Sequence, residues 1–185
     1  MKFFAITPDG FTGQDVLTSL PHLVDKEVSF LYLRSNLLQD CIKTLKEPLI
    51  NAGILPMIPW EATADDVTSG CGVHIKNARP DKLPLVRNPS TVPITASCHD
   101  CRTAASVLQN AVDYVFISPV FTPLSKPDDS RKPLSRRLIK ELVAGFGERI
   151  VLLGGMTSDR VHTLQRELHH DFSVGGITMF FGEQQ

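Results

Sequence analysis

The chain reads as a parallel (β/α)8 barrel, a TIM-type fold in one domain spanning residues 1–185, and three observations predict it. About eight short apolar runs rich in β-branched and aromatic residues recur along the sequence, segments with helical spacing alternate with most of them, and polar residues cluster just past several runs. Unbroken apolar runs suit strands covered on both faces. Strands joined by helical crossovers give a parallel sheet with right-handed connections, and eight of them fit a closed barrel. An open doubly wound sheet is the alternative.

The elements follow in order. Phe3–Thr7 is a strand ended by the turn Pro8-Asp9-Gly10, and Thr12 to Val24 is a helix that Thr12 can cap, with Val16, Leu17, Leu20 and Leu23 on one face. Val28 to Arg34 is the second strand. Leu37 to Asn51 is a helix in which Pro48 predicts a kink or an early stop. Leu55–Ile58 and Gly72–Ile75 are strands three and four, with a polar stretch from Glu61 to Ser69 between them that has no clear period. Pro80, Pro84 and Pro89 predict an irregular crossover to the fifth strand, Val92–Cys98. Cys101–Ala111 is a helix, the sixth strand starts at Asp113, Ser135–Phe146 is a helix, and Arg149–Leu153 is the seventh strand. Thr157–His169 is a helix and Phe172–Met179 the eighth strand.

Little chain remains after that strand for a closing helix, so the eighth helix is expected to be short or absent. Barrels of this kind usually take about 250 residues. Apolar surface over the first and eighth strands then needs cover from a bent tail or from a second copy, and a homodimer or a trimmed end is the expectation.

Composition excludes several classes of function. A formal net charge of −1 gives no basic face for nucleic acid or an anionic membrane. No apolar run reaches the roughly 20 residues needed to span a bilayer. Met1-Lys2 leads straight into a strand rather than a signal segment, and the four cysteines are too few for a disulfide framework, so a cytoplasmic location is expected.

The stretch most suggestive of chemistry is Asp113 to Lys126. Tyr114-Val115-Phe116-Ile117 is a buried strand, and the loop after it carries Thr122, Ser125 and Lys126, two hydroxyls and a cation suited to an anion at a strand's carboxyl end. Arg34 ends the second strand. Gly154-Gly155 after the seventh strand and Gly175-Gly176 in the eighth could offer backbone N–H groups to a phosphate, or serve only as turn and packing glycines. Asp128 to Lys132 reads as a solvated, mobile stretch. His162, His169 and His170 read as exposed on the last helix, and His22 as a helix-end residue.

Four segments carry a resemblance. They are Phe3-Phe4-Ala5-Ile6-Thr7-Pro8-Asp9, Gly72-Val73-His74-Ile75, Thr95-Ala96-Ser97-Cys98-His99 continuing to Lys126, and Leu152-Leu153-Gly154-Gly155-Met156-Thr157. In this order they resemble the thiamine phosphate synthase and TenI superfamily. The resemblance implies a (β/α)8 barrel that handles thiazole and pyrimidine phosphates, a small-molecule phosphate ligand being the expected partner. It implies phosphate or substrate binding by Arg34, Ser97, Ser125, Lys126, Gly154, Gly155 and Gly176.

The synthase branch joins a pyrimidine pyrophosphate to a thiazole phosphate with Mg2+. In this chain Tyr32 and Asn36 flank Arg34 where that branch has Gln and Lys, Pro59-Trp60 replaces an Asn-Asp pair, and Lys76-Asn77 replaces Gly-Gln. Both expected magnesium carboxylates lack a counterpart, with Asp65, Asp66 and Asp81 the acids that could reach in. His99 matches the TenI branch, where a histidine at this strand end is the acid/base of a thiazole tautomerase that needs no cofactor. An imidazole titrating near neutrality suits removal and return of a proton.

The leading expectation is therefore a thiazole tautomerase with His99 as general acid/base. The alternatives are a thiamine phosphate synthase and a non-catalytic protein that binds a thiamine precursor or a regulatory partner. Cys98 and Cys101 form a separate C-x-x-C pattern open to redox use, to zinc binding with His74 and His99, or to no role.

Overall fold

A computed structural model of the chain describes residues 1–34, 37–62, 70–80, 92–110, 112–122 and 131–182. Its eight strands are β1 Phe3–Ile6, β2 Val28–Tyr32, β3 Leu55–Pro59, β4 Gly72–Ile75, β5 Ile94–Cys98, β6 Tyr114–Ile117, β7 Ile150–Leu152 and β8 Ser173–Gly176. All neighbours pair in parallel and in chain order. β8 returns to β1 through Phe3 opposite Val174, which closes the barrel.

The outer ring comprises α1 Gly13–Asp25, α2 Leu38–Asn51, α3 Cys101–Leu108, α4 Arg136–Phe146, α5 Ser158–Leu168 and α6 Thr178–Phe181. Thr12 caps α1 through the Asp15 amide while the Asp15 carboxylate accepts from the Thr12 amide, a reciprocal pair that satisfies two orphan donors. Each helix turns an apolar stripe inward: Ile139, Leu142 and Val143 in α4, and Val161, Leu164 and Leu168 in α5, are buried against the strands.

Most expected elements stand where the sequence places them. α2 runs through Pro48 to Asn51 without the early stop; proline here removes one amide near the helix end. The predicted eighth strand is too long. It ends at Gly176, and Thr178–Phe181 turns into α6. An extended strand would send Phe180 and Phe181 to opposite faces. As a helical turn, Phe180 meets Phe3 edge-on at 6.1 Å and Phe181 meets Phe11 at 5.1 Å. The bent tail thus covers apolar surface beside β1 and α1. The crossover over residues 81–91 lies outside the described residues.

Inside the barrel, aromatic rings fill the amino-terminal half. Phe4 stacks on Phe30 at 4.3 Å, Phe116 and Tyr114 each approach Phe4 at 5.2 Å, and the Lys2 ammonium sits 5.3 Å from the Tyr114 ring centre. Gly175 makes room for them. A side chain there would begin 3.1 Å from Val151 and 3.2 Å from Phe116.

The junctions at the other end are equally tight. Gly155 has φ +61°, and a Cβ on it would stand 2.3 Å from the Thr122 carbonyl oxygen, a backbone atom that cannot swing aside. Gly53, at φ +77°, has open space around it. Gly155→Ala is expected to cost roughly 2–4 kcal/mol, from left-handed strain plus overpacking. Gly53→Ala should cost only about 1 kcal/mol. Urea denaturation of the two variants beside the parent measures both, and equal losses would contradict the close approach at Gly155.

Candidate functional site

The aromatic plug leaves the carboxyl half of the barrel open. A cavity of about 740 Å³ lies there, its wall including Asp9, Tyr32, Arg34, His74, Lys76, Asn77, Ser97, His99, Phe116, Ser118 and Arg131. The wall has two storeys. On a strand, residues two apart face the same way and stand about 6–7 Å apart. Tyr32, His74 and Phe116 form a floor of rings, and two residues further along their segments Arg34, Lys76 and Ser118 form a polar rim, joined by His99.

Arg34 is held at the rim by its backbone. Thr7, fully buried, donates its hydroxyl to the Tyr32 carbonyl at 3.3 Å and accepts the Arg34 amide at 3.1 Å, which ties the ends of β1 and β2 together. The Arg34 guanidinium bonds the exposed Asp9 carboxylate. Lys76 and Arg131 are further cations of the wall, against that single described carboxylate. The rim therefore favours an anion.

His99 follows β5 and precedes α3, whose cap Asp100 accepts the Thr103 amide at 2.8 Å. Its ring is set by a short relay. Ser97 Oγ accepts the Asn77 amide at 3.0 Å, and this fixes Asn77, which has φ +49°. Asn77 Oδ1 then lies 3.0 Å from His99 Nε2. An amide oxygen only accepts, so Nε2 donates to it in the tautomer that carries the proton there, whereas the Ser118 carbonyl beside Nδ1 pairs with the tautomer protonated on that nitrogen. Around Nδ1 are Arg131 Nη1 at 3.0 Å, the Ser118 carbonyl at 3.2 Å and the Ser118 hydroxyl at 3.5 Å.

The floor is neutral. His74 is 6% exposed and Tyr32 7%. Thr95 Oγ1 donates to the Val73 carbonyl at 3.1 Å, so it receives the His74 Nδ1 proton at 2.8 Å, and Nε2 is left as an acceptor. Burial, helped by the Lys76 charge, pushes the imidazole down to about 3. Burial, helped by the Glu61 charge, pushes the Tyr32 phenol up to about 12. The Tyr32 hydroxyl has no hydrogen-bond partner among the described residues.

Of the residues expected to act, His99, Arg34 and Ser97 come together in this wall. Ser125 and Lys126 lie outside the described residues. Gly154, Gly155 and Gly176 are not in the described wall: Gly154 packs on Pro119, Gly155 on Phe121 and Thr122, and Gly176 on Met179 and Phe180. Sequence reasoning missed Arg131, assigned to a solvated stretch, and missed the roles of Asn77 and Tyr32, which entered only as departures from a pattern. Alternation was the signal that could have found them, since Tyr32-x-Arg34 and His74-x-Lys76 each place a floor and a rim residue on one face.

The cysteine readings lose their physical basis. The Cys98 thiol donates to the Ala78 carbonyl at 3.8 Å, and burial pushes it up to about 12, while burial also raises the Cys101 thiol, so neither is an activated thiolate. No cluster of His, Cys, Asp or Glu among the described residues could hold a metal ion. His162, His169 and His170 are exposed and His22 lies in the last turn of α1, as expected.

Comparisons with known proteins agree with this architecture. A family model described as thiamine monophosphate synthase matches residues 3–176. A protein of Aquifex aeolicus (strain VF5) named "Putative thiamine-phosphate synthase 2" is 22% identical over 185 residues, covering 97% of each chain. Among solved structures, a thiamine phosphate pyrophosphorylase from Pyrococcus furiosus superposes with a TM-score of 0.68 at 16% identity, over 99% of this chain and 88% of that one. The 3-hexulose-6-phosphate synthase from Salmonella typhimurium superposes with a TM-score of 0.63 at 16% identity, over 97% of this chain and 90% of that one.

The buried histidine makes stability depend on pH with a definite sign. Its folded pKa is below the unfolded value of 6.5, so between 6.5 and about 3 the unfolded chain holds a proton that the folded one lacks. Stability from this group is complete above pH 6.5 and falls with acidification, by up to about 1.4 kcal/mol per pH unit. Urea midpoints at pH 7.5 and pH 5 should differ more for the parent than for His74→Gln, and equal pH dependence would refute the assignment.

Proposed function

Because the chain belongs to the thiamine monophosphate synthase family, we propose that its cavity binds a phosphorylated heterocyclic precursor of thiamine and that His99 moves protons on it. The observation that carries this reading is His99 standing in a rim with three cations, Arg34, Lys76 and Arg131. Such a rim suits a phosphate or carboxylate, Arg34 and Arg131 offering forked donors and Lys76 a point charge.

The reaction that best uses this geometry is isomerisation of a thiazole carboxylate phosphate to its aromatic tautomer. In the tautomer protonated at Nε2, Nδ1 of His99 takes a proton from one atom of the substrate and returns it to another, so nothing is oxidised and no group leaves. When Nδ1 is protonated, the Ser118 carbonyl at 3.2 Å is there to accept it, while Asn77 keeps Nε2 oriented. Arg131 beside the ring is placed to meet the substrate's negative charge.

A second reading is the coupling of a pyrimidine pyrophosphate to a thiazole phosphate, favoured by the names of the family and of its relatives. That chemistry uses magnesium, which asks for about six oxygen donors in octahedral array. The described donor set does not fit it: the wall's one described carboxylate, Asp9, is held by Arg34. Asp65, Asp66 and Asp81 lie outside the described residues.

Calorimetric titration separates the readings. Binding of the thiazole carboxylate phosphate without magnesium, with turnover lowered about 100- to 10,000-fold in His99→Ala at little changed affinity, is the expected result. Tight binding of the pyrimidine pyrophosphate only with magnesium would put coupling first. Binding with equal turnover in the parent and the variant would remove His99 from the chemistry.

A further inference from the structure

The chain leaves β6 and returns to α4 through a narrow neck, which two guanidinium groups on one aromatic ring help to fasten. On the outgoing limb the Val120 amide donates to the Leu153 carbonyl at 2.9 Å and the Phe121 amide to the Gly154 carbonyl at 3.1 Å, tying that limb to the turn after β7. On the returning limb the Leu134 amide donates to the Pro119 carbonyl at 2.9 Å, and the Leu134 side chain packs against the core. Two residues further on, Arg136 opens α4. Its guanidinium carbon stands 4.2 Å from the centre of the Phe121 ring, and that of Arg160, in the first turn of α5, stands 4.7 Å from the same centre. Arg160 also donates to the Gly155 carbonyl, and Arg136 Nε lies 3.7 Å from the Glu167 carboxylate.

Arg136 Nη1 is buried with no hydrogen-bond partner among the described residues. The face of Phe121 takes the place of one, because an aromatic face attracts a cation, and a planar, weakly hydrated guanidinium suits it better than an ammonium would. From this fixed point the chain leads straight to the cavity. Pro133 fixes its own φ and biases Lys132 toward extended backbone. Three residues before Leu134 stands Arg131, whose Nη1 is 3.0 Å from His99 Nδ1. Three residues reach at most about 10 Å, so the place where Leu134 is pinned limits where Arg131 can stand.

We propose that Phe121 and Arg136 are positioning residues for the cavity: their stack, together with the Leu134–Pro119 hydrogen bond, sets where Arg131 stands against His99. Neither belongs to the described wall, and both act through Arg131. The inference rests on the preceding reading only in taking the rim as the place where an anion binds, and it holds whether or not His99 moves a proton.

Three variants of the full chain test it. Arg131→Gln removes the guanidinium from His99 and supplies the reference. Phe121→Leu removes the ring face and keeps an apolar side chain, and Arg136→Lys keeps the charge and loses the planar group. In the ligand-free protein, long-range proton–nitrogen NMR should show Phe121→Leu and Arg136→Lys moving the His99 ring resonances in the direction that Arg131→Gln moves them. Inorganic phosphate should bind roughly three- to tenfold more weakly to Arg131→Gln and to Phe121→Leu. Combining those two substitutions should lose no more than Arg131→Gln alone, because both act through one guanidinium. Additive losses in the combined variant would overturn the proposal. So would a lower urea midpoint with His99 resonances unmoved, the signature of a stack that only stabilises the fold. The Arg136 side chain is 40% exposed, so Arg136→Lys remains a folded test where Phe121→Leu does not fold. Absence of phosphate binding by the parent would remove the anion reading of the rim, and the His99 resonances, measured without ligand, would still decide the positioning role.

Discussion

The stack of Phe4 on Phe30, closed by Phe116 and Tyr114 and topped at the amino end by the Lys2 ammonium, decides where chemistry is possible in this barrel. A parallel barrel of eight strands has an interior just wide enough for side chains. Filling its lower half with rings excludes water there, and every polar group that needs water or a ligand must stand at the carboxyl end. Gly175 is the counterpart of that filling: a side chain there would begin 3.2 Å from the Phe116 ring, which would have to give way. The cavity is what remains above the plug.

The strand period then sorts the site into levels. Because alternate residues share a face, each inward floor residue is followed at the next inward position by a rim residue about 6–7 Å higher. The floor is neutral because it is buried, and the rim is charged because it is wet. Burial moves the His74 and Tyr32 pKa values away from neutrality in the direction that keeps each uncharged. A ligand with an anionic group and a flat ring meets a surface that already separates those two demands.

Much of the fold was legible because it depends on strong local signals. Apolar runs, the Thr12 cap and the positions of Leu, Ile and Val on helices recur at fixed periods, and tertiary packing agrees with them. The eighth strand was overextended to Met179 because Ile177, Thr178 and Met179 continue the apolar run, whereas the chain turns into α6 there and packs Phe180 on Phe3 and Phe181 on Phe11. The site was legible only in part. His99, Arg34 and Ser97 could be placed by strand ends and by a family pattern, whereas Arg131 reaches His99 from 32 residues away, a contact that no local signal encodes. Asn77 acts through a backbone turn with φ +49°, a conformation asparagine tolerates better than most residues. The Tyr32 hydroxyl stands out only when its surroundings show that none of the described residues bonds it.

Tyr32 stands where the resembled pattern has a glutamine, and the two side chains differ in the hydrogen bonds they can offer. A carboxamide carries both a donor and an acceptor and can turn either toward a ligand, so one residue can read an edge of either polarity. A phenol whose proton is held by burial is a donor by preference, and it extends from a rigid ring with few rotamers. Beside it, the tautomer of His74 that Thr95 enforces presents an acceptor. The order of these groups is fixed from behind by the Val73 carbonyl, which takes the Thr95 proton and so prevents His74 Nδ1 from being the acceptor. The hydrogen-bonding character of the floor thus depends on a backbone carbonyl that stands behind it.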